Sequence, residues 1–152
     1  MDLDRDFLIV LHDLARLMRT RFDQWARTYG LTRAQGVILV RLSRQPGLSQ
    51  NELAALCEVE PITVGRLVDR LEARGLLERR ADPGDRRIRR LHLLPPSEAI
   101  LAKIHDYKAE LQRELTDGLE PQAIAIALDV VMHMKQKLTM EPARPDHAAA
   151  GE

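Results

Sequence analysis

The chain has 152 residues, which suits one domain with a sizeable core, and its 23 basic side chains balance 23 acidic ones. A single cysteine excludes an internal disulfide framework, and the sequence shows neither a signal-peptide pattern nor a long apolar span. We therefore expect a cytoplasmic protein that does not contact a membrane.

The zero net charge hides an uneven distribution along the chain. Residues 61–92 contain nine arginines against five acidic residues, whereas residues 93–152 contain ten acidic against six basic ones. All four lysines lie beyond residue 100, so every basic residue upstream is arginine, the type suited to planar two-point contacts. A local basic segment of this kind indicates a nucleic-acid-binding surface within a neutral protein.

A long helical pattern runs from Leu3 to Tyr29 and includes four of the five aromatic residues. A monomer of this size has little core to offer such a stripe, so we expect part of it to pack against a second copy of the chain. The alternative left open is that Trp25 or Tyr29 lines an effector pocket.

A second helix is predicted to begin at Thr32, because Thr32 and Gln35 have the spacing of a capping box. It should end at the Gln45-Pro46-Gly47 turn. Its inner face is predicted to consist of Ala34, Val37, Ile38 and Leu42.

Two short helices follow in close succession. Ser49 and Glu52 again form a capping-box pattern, so a helix should start at Ser49. Pro61 marks a second start a few residues later, since proline suits the first turn of a helix. Two helices joined by so short a turn form a helix-turn-helix.

The second of these helices, residues 61–74, is predicted to have two faces. Arg66, Arg70 and Arg74 recur every four residues, with Thr63 at their N-terminal end. Arginine can bridge two acceptors of guanine, and threonine can contact thymine, so this face suits the major groove of DNA. The other face is an apolar stripe formed by Val64, Leu67, Val68 and Leu71.

A solvated helix is the alternative interpretation, with Arg66 and Arg70 paired only to Asp69 and Glu72. The segment that follows favours DNA binding, because residues 76–80 and 87–93 have β character and flank a Pro-Gly turn. The thin loop so formed suits the minor groove, where narrow A·T tracts attract arginine.

Three residues at the tip of this hairpin are predicted to act together. Arg86 and Arg87 would be presented to the minor groove. Asp85 would repel phosphate unless it has another role, and a carboxylate–guanidinium pair that orients an arginine is such a role.

With these motifs, the chain resembles the MarR family of bacterial regulators, in its SlyA-like branch. The Asp-Arg-Arg hairpin after a leucine-rich helix is the specific part of the resemblance, and Tyr29-Gly30-Leu31-Thr32 extends it. The residues that carry the resemblance are Leu53-Ala54, Thr63-Val64, Leu67-Val68-Asp69-Arg70-Leu71-Glu72, Gly75-Leu76-Leu77-Glu78-Arg79, Asp82-Pro83-Gly84-Asp85-Arg86-Arg87, Leu91 and Leu93.

The resemblance implies a mainly α-helical homodimer that binds a near-palindromic operator in double-stranded DNA. It also implies release by a small aromatic or phenolic effector, in a pocket where the second helix meets the first and the fifth. We assign Trp25, Tyr29, Val37 and Leu101 to that pocket. The residues assigned to DNA binding are Ser49, Gln50, Pro61, Ile62, Thr63, Arg66, Arg70, Asp85, Arg86 and Arg87.

The last part of the chain is predicted to form two more helices. Pro95-Pro96 opens one that reaches about Asp117, although the resembled family usually has threonine where Pro95 stands; Pro121 opens the other. The fold class is thus mainly α: a winged helix-turn-helix with long terminal dimerisation helices and a two- to three-stranded wing. The predicted divisions are a dimerisation helix (1–30), the winged helix-turn-helix (31–94), C-terminal dimerisation helices (95–140) and a disordered tail (141–152).

Other functions find less support in the sequence. The five histidines are scattered without the i+3 or i+4 spacing of metal ligands, and neither a phosphate loop nor a nucleophile elbow appears, so we predict no enzyme, metal or cofactor. Cys57 is predicted to be buried and inert, with redox sensing as the alternative. A winged-helix adaptor for protein–protein contact remains the second function class, and salt-dependent DNA binding would distinguish the two.

Overall fold

The protein is mainly α-helical with one small sheet, as the sequence predicts. The structure is a computed structural model that describes residues 5–140. Its elements are α1 (Phe7–Arg27), α2 (Arg33–Arg44), α3 (Gln50–Cys57), α4 (Pro61–Ala73), β1 (Leu77–Ala81), β2 (Arg89–Leu93), α5 (Pro96–Thr116) and α6 (Pro121–Met140). The described residues divide into two compact units, one that ends at Asp106 and one that begins at Tyr107.

Hydrogen bonds between neighbouring residues cap the N-termini of α2 and α3 at the predicted capping boxes. At α3, Glu52 N–H donates to Ser49 Oγ at 3.2 Å, and Ser49 N–H donates to Glu52 Oε2 at 2.7 Å. At α2, Thr32 and Gln35 form the same reciprocal pair, at 3.2 and 3.0 Å. These bonds satisfy backbone donors that the first turn of a helix leaves open.

The core of the first unit lies among α2, α3, α4 and the base of the hairpin. It is formed by leucine, isoleucine and valine side chains that are almost fully buried, and Phe22, Trp25 and Cys57 pack against it with part of their surface. The largest buried side chains of this core are Ile38, Leu39, Leu42, Leu53, Val64, Val68, Leu71, Leu77 and Leu91. The apolar stripe predicted for α4 is thus the stripe that packs inward.

The inner face predicted for α2 is partly wrong. Ala34 and Val37 are exposed, and Gly36 and Leu39 are buried in their place. The reason is the close approach of α1, because a Cβ atom on Gly36 would lie 3.1 Å from Phe22 Cζ. The helix therefore turns its glycine toward α1, and Val37, one position further around the helix, faces solvent.

The wing is an antiparallel hairpin in which Leu77 pairs with Leu93 and Arg79 with Leu91. An isolated bridge between Ser49 and Arg90 adds a one-residue third strand, in agreement with the two- to three-stranded prediction. The strands begin later than predicted, and Arg87 lies before β2 rather than within it.

The terminal helices leave large apolar side chains exposed. In α1, only Ala26 is buried, and Phe7 and Leu8 are 54% and 63% exposed. Helix α6 has no buried residue, and Leu138 is 78% exposed. The predicted tail, 141–152, and the first residues of the predicted α1 pattern lie outside the described residues.

Loss of the α2 capping box should destabilise the protein. We expect Thr32→Ala to lower the free energy of unfolding by about 1 kcal/mol, because the N–H of Gln35 loses its acceptor. Urea denaturation measures the change. Thr32→Ser keeps the acceptor oxygen and should stay close to the parent; equal stability of both variants would contradict the capping role.

Candidate nucleic-acid interface

Helix α4 presents an outward face that contains the predicted arginines. Arg66 and Arg70 are exposed, and Val64, Val68 and Leu71 on the opposite side are buried. At the N-terminal end of the helix, Pro61 and Thr63 are exposed and Ile62 is 68% exposed. The structure therefore brings polar, apolar and cationic groups together along one accessible helix face.

The carboxylates of α4 are engaged by the wing and not by the arginines of the helix. Arg79 Nη2 lies 2.6 Å from Asp69 Oδ1, and Arg79 Nη1 pairs with Glu72 Oε2. Within residues 5–140, Arg66 and Arg70 have no ion-pair or hydrogen-bond partner. The pairing of Arg66 and Arg70 with Asp69 and Glu72, on which the alternative interpretation depended, is thus not formed, and two exposed guanidinium groups remain available.

Arg74 does not belong to this outward set, contrary to the sequence prediction. Its Nη1 donates to the carbonyl oxygen of Gly30 at 2.9 Å, and its Nη2 donates to that of Tyr29 at 3.3 Å. Helix α4 ends at Ala73, and Gly75 follows with a φ of +66°. Arg74 therefore ties the end of α4 to the turn between α1 and α2.

Ser49 and Gln50 have structural partners at the start of the motif. The hydroxyl oxygen of Ser49 accepts the capping bond of α3. Gln50 Nε2 donates to the carbonyl oxygen of Pro61 at 3.2 Å, and a Cβ atom on Gly65 would lie 2.9 Å from that nitrogen. The glycine leaves the space that Gln50 needs to support the first turn of α4.

The turn of the wing is organised by Asp82. Its Oδ1 accepts the N–H groups of Gly84 and Asp85 at 2.7 and 3.0 Å, and its Oδ2 accepts Arg90 Nε at 2.5 Å. The bond from Arg90, followed by the two backbone bonds, holds the pKa of Asp82 below its usual value. The carboxylate form thus maintains the shape of the loop.

At the wing tip, Asp85 orients Arg87 as predicted. Arg87 Nε and Nη2 donate to the two carboxylate oxygens at 3.1 and 3.0 Å, and Arg87 N–H donates to Oδ1 at 3.0 Å. This pair lowers the pKa of Asp85 and raises that of Arg87. The Arg87 side chain is nevertheless 91% exposed. Arg86 beside it is exposed as well, so both tip arginines point into solvent.

Arg90 is a structural residue that sequence reasoning missed. Besides Asp82, its guanidinium contacts the carbonyl oxygen of Gly47 at 3.0 Å and Glu52 Oε2 at 3.3 Å. It therefore joins the wing turn to the loop before α3 and to the capping glutamate. The placement of Asp82 and Arg90 on the two sides of one tight turn was the available signal for the first of these contacts.

The residues assigned to an effector pocket are only partly brought together. Trp25 and Tyr29 are in contact, with ring centroids 4.9 Å apart and ring planes tilted by 53°, and Lys103 Nζ lies 4.4 Å from the centroid of the Tyr29 ring. Leu101 packs against the core, and Val37 is 38% exposed. A separate open cavity of about 300 Å³ is lined by Asp23, Arg27, Leu31, Thr32, Arg33 and Ala34. The assigned pocket stays a prediction.

Three further findings concern a reactive cysteine, a metal site and a membrane-spanning helix. Burial raises the pKa of the half-buried Cys57 thiol, which reduces its thiolate fraction. Among residues 5–140, no three histidine, cysteine or acidic side chains are arranged to hold a metal ion. None of the helices within residues 5–140 combines the length and the hydropathy that a membrane span requires.

The fold and this arginine-bearing surface define a winged helix-turn-helix protein. Residues 29–88 match the model of the MarR family, and this segment, which contains α2, α3, α4, β1 and the wing turn, belongs to that family. The predicted family is therefore confirmed for this segment, and the SlyA-like branch stays a prediction.

Two curated relatives support this assignment. The uncharacterized HTH-type transcriptional regulator YsmB of Bacillus subtilis (strain 168) is 27% identical over 128 residues, which are 84% of this chain and 88% of YsmB. A Thauera aromatica protein, named as a candidate transcriptional regulatory protein for the hcr operon, is 38% identical over 89 residues. That match covers 55% of this chain and 52% of the relative.

Solved structures show the same fold over most of the chain. A crystal structure of MarR superposes with a TM-score of 0.79 at 27% identity and covers 91% of this chain and 95% of that one. The transcriptional regulator SlyA superposes with a TM-score of 0.75 at 25% identity and covers 88% and 94%. The similarity thus extends well beyond the matched domain.

The wing should lose its order in acid. Because the pKa values of Asp82 and Asp85 are lower in the folded wing than in the unfolded chain, their stabilisation is fully present above the ordinary aspartate pKa of about 3.9. It is lost as the pH falls through the lowered folded values.

Backbone NMR of Gly84 and Asp85 measures this loss. Their amide shifts should stay constant from neutral pH down to about 5 and change below about 4. Asp82→Asn should remove the dependence at Gly84. A transition near pH 6, or an unchanged titration in the variant, would show that another group controls the wing.

Proposed function

We propose that the protein is a DNA-binding transcriptional regulator that grips an operator as a homodimer. The observation that carries the proposal is the outward placement of exposed guanidinium groups at two positions. Arg66 and Arg70 lie on α4, and Arg86 and Arg87 lie at the tip of the wing. A helix and a thin loop with this chemistry suit the two grooves of one duplex.

Helix α4 would enter the major groove. Its N-terminal residues Ile62 and Thr63 would reach base edges and thymine methyl groups, while Arg66 and Arg70 would contact guanine or phosphate. The contacts of Gln50 and Pro61 at the same end keep the helix start in place. This division fits the general arrangement in which phosphate contacts position a protein and base contacts specify the sequence.

The wing tip would enter the adjacent minor groove. Arg87 is held by Asp85 and stays exposed, so it can contact the groove without first ordering its side chain. A narrow A·T tract provides the most negative potential for it. The cost of placing the Asp85 carboxylate near phosphate is offset because its charge is already paired with Arg87.

The homodimer is supported by the uncovered apolar residues of the terminal helices. Phe7, Leu8 and Leu14 in α1 and Leu128 and Leu138 in α6 are all exposed. Apolar surface of this extent is typical of an interface between subunits. Two-fold symmetry would then place the two α4 helices about 34–36 Å apart, one turn of DNA.

Regulation by a small aromatic or phenolic molecule belongs to the same proposal. A ligand near the contacting Trp25 and Tyr29 rings would act on the turn that Arg74 connects to the end of α4. To release DNA, the ligand must bind more tightly to the dimer in which the spacing of the two α4 helices does not fit the operator. The difference in binding free energy between the two spacings must be several kcal/mol. Titration of phenols into the protein–DNA complex tests this, and no release by any of them would remove the effector from the proposal.

Selection of bound fragments from a pool of random duplexes tests the proposed function. We expect the purified protein to enrich a near-palindrome whose half-sites are about one helical turn apart. Enrichment of no sequence, with the protein folded and dimeric, would favour the protein–protein adaptor instead.

Removal of an outward arginine should weaken binding to the selected duplex. We expect Arg66→Ala and Arg70→Ala to cost about 1–3 kcal/mol each, with relaxed sequence preference if the residue contacts a base. Fluorescence anisotropy measures the affinity. Arg33→Ala is the matched control, since Arg33 is exposed at the start of α2 and pairs with Asp23 at 3.6 Å. Equal binding by all three variants would mean that a different face contacts DNA.

A further inference from the structure

Arg79 connects the wing to helix α4 through its side chain. It lies in β1, and its guanidinium contacts both Asp69 and Glu72 of α4. Its backbone N–H also donates to Glu72 Oε1 at 3.0 Å, and Nη2 lies 3.5 Å from the carbonyl oxygen of Gly65. One residue thus joins the strand to three successive turns of the helix.

Burial and charge exclude Arg79 from direct contact with DNA. Its side chain is 22% exposed, far below the 91% of Arg87, and two carboxylates already surround it. Burial alone would lower the pKa of Arg79, but the bonds to Asp69 and Glu72 outweigh burial and raise it. The contacts with Asp69 and Glu72 therefore favour the charged form of the guanidinium.

We propose that Arg79 is a positioning residue that sets the separation between the major-groove and minor-groove contacts; this inference rests on the proposed function. The two-point contact with α4 fixes the position of β1, the strand that leads to the wing tip. The same contact withdraws both helix carboxylates from Arg66 and Arg70, so these guanidinium groups meet DNA without an internal competitor.

Arg90 cannot perform this role, because its partners are Asp82, Glu52 and the Gly47 carbonyl, none of which belongs to α4. Lysine cannot perform it either. A single ammonium group keeps the charge at residue 79 but lacks the planar fork that spans two carboxylates. Arg79→Lys therefore separates geometry from charge.

The neighbouring arginine provides a matched control. Arg80 lies on the same strand, is exposed, and pairs with Glu78 at 2.6 Å rather than with α4. Arg79→Lys and Arg80→Lys change the same group by the same amount at adjacent positions. A structural effect on β1 alone would appear in both variants. An effect on the position of the wing tip relative to α4 should appear only in Arg79→Lys.

The experiment measures the preference for flanking sequence. Two duplexes share the half-sites enriched by the random selection and carry either A·T or G·C flanks where the wing tips lie. The ratio of their dissociation constants reports the minor-groove contact. Arg87→Ala, alone and combined with each lysine variant, completes a double-mutant cycle.

We expect Arg79→Lys to reduce the flank preference to near unity, as Arg87→Ala does. Arg87→Ala should weaken binding to the A·T-flanked duplex about tenfold in the parent and in Arg80→Lys, but less than about twofold in Arg79→Lys. Additive effects of the substitutions at 79 and 87, which are not in contact, would overturn the positioning role while leaving DNA binding intact. No binding of either duplex by the parent would instead remove the proposed function.

A second variant keeps the inference testable if Arg79→Lys does not fold. Asp69→Asn removes one negative charge from α4 and one of the two carboxylates that fix the Arg79 guanidinium, so that the two-point contact is lost. Simple electrostatics predicts tighter binding to both duplexes with an unchanged ratio of dissociation constants. Positioning predicts a reduced ratio, so an unchanged ratio would overturn the inference.

Discussion

Arginine–carboxylate pairs hold the wing to the helix-turn-helix beyond the buried base of the hairpin. Leu77 and Leu91 fill the core at that base, but the strand above them contacts α4 through Arg79. The turn of the wing is connected to the start of α3 through Arg90. The strand and the turn of the wing are therefore joined to α4 and α3 by ion pairs, whose planar geometry is more specific than that of apolar contact.

These pairs also explain how a protein with no net charge can present a cationic surface. The acidic residues of the segment 61–92 are not spread evenly among its arginines. Asp69 and Glu72 are taken by Arg79, and Asp82 is taken by Arg90, so the acidic charge is used between elements. Exposed arginines therefore stay accessible on the outer face of α4 and at the wing tip, where charge can steer and hold an anionic duplex.

Interactions between residues close in sequence were predictable, and those between distant residues were not. The capping boxes at Thr32 and Ser49 and the Asp85–Arg87 pair each join residues at most three positions apart, and the sequence patterns identify them. Arg74 follows the periodicity of the outward stripe, yet it bonds to carbonyl groups 44 and 45 residues away. Periodicity places a side chain on a helix face. It does not indicate which backbone groups from distant parts of the sequence will lie next to that side chain.

The same limit applies to α2. Its hydrophobic pattern allowed Val37 to face the core, and the close contact of Gly36 with Phe22 decided otherwise. For the candidate site, the residue types and their two locations followed from the sequence. The division of the arginines into engaged and available ones depended on tertiary contacts, as did the positions of the residues assigned to the effector pocket.

The dependence of duplex affinity on salt tests the central claim most directly. Arginines that neutralise phosphates release counterions, so the logarithm of the binding constant should fall linearly with the logarithm of the salt concentration. If the homodimer makes about six or more phosphate contacts, affinity should drop about a thousandfold or more between about 50 and about 200 mM salt. An affinity that stays within about twofold over that range would contradict the account, because the outward guanidinium groups would then not be what holds the duplex.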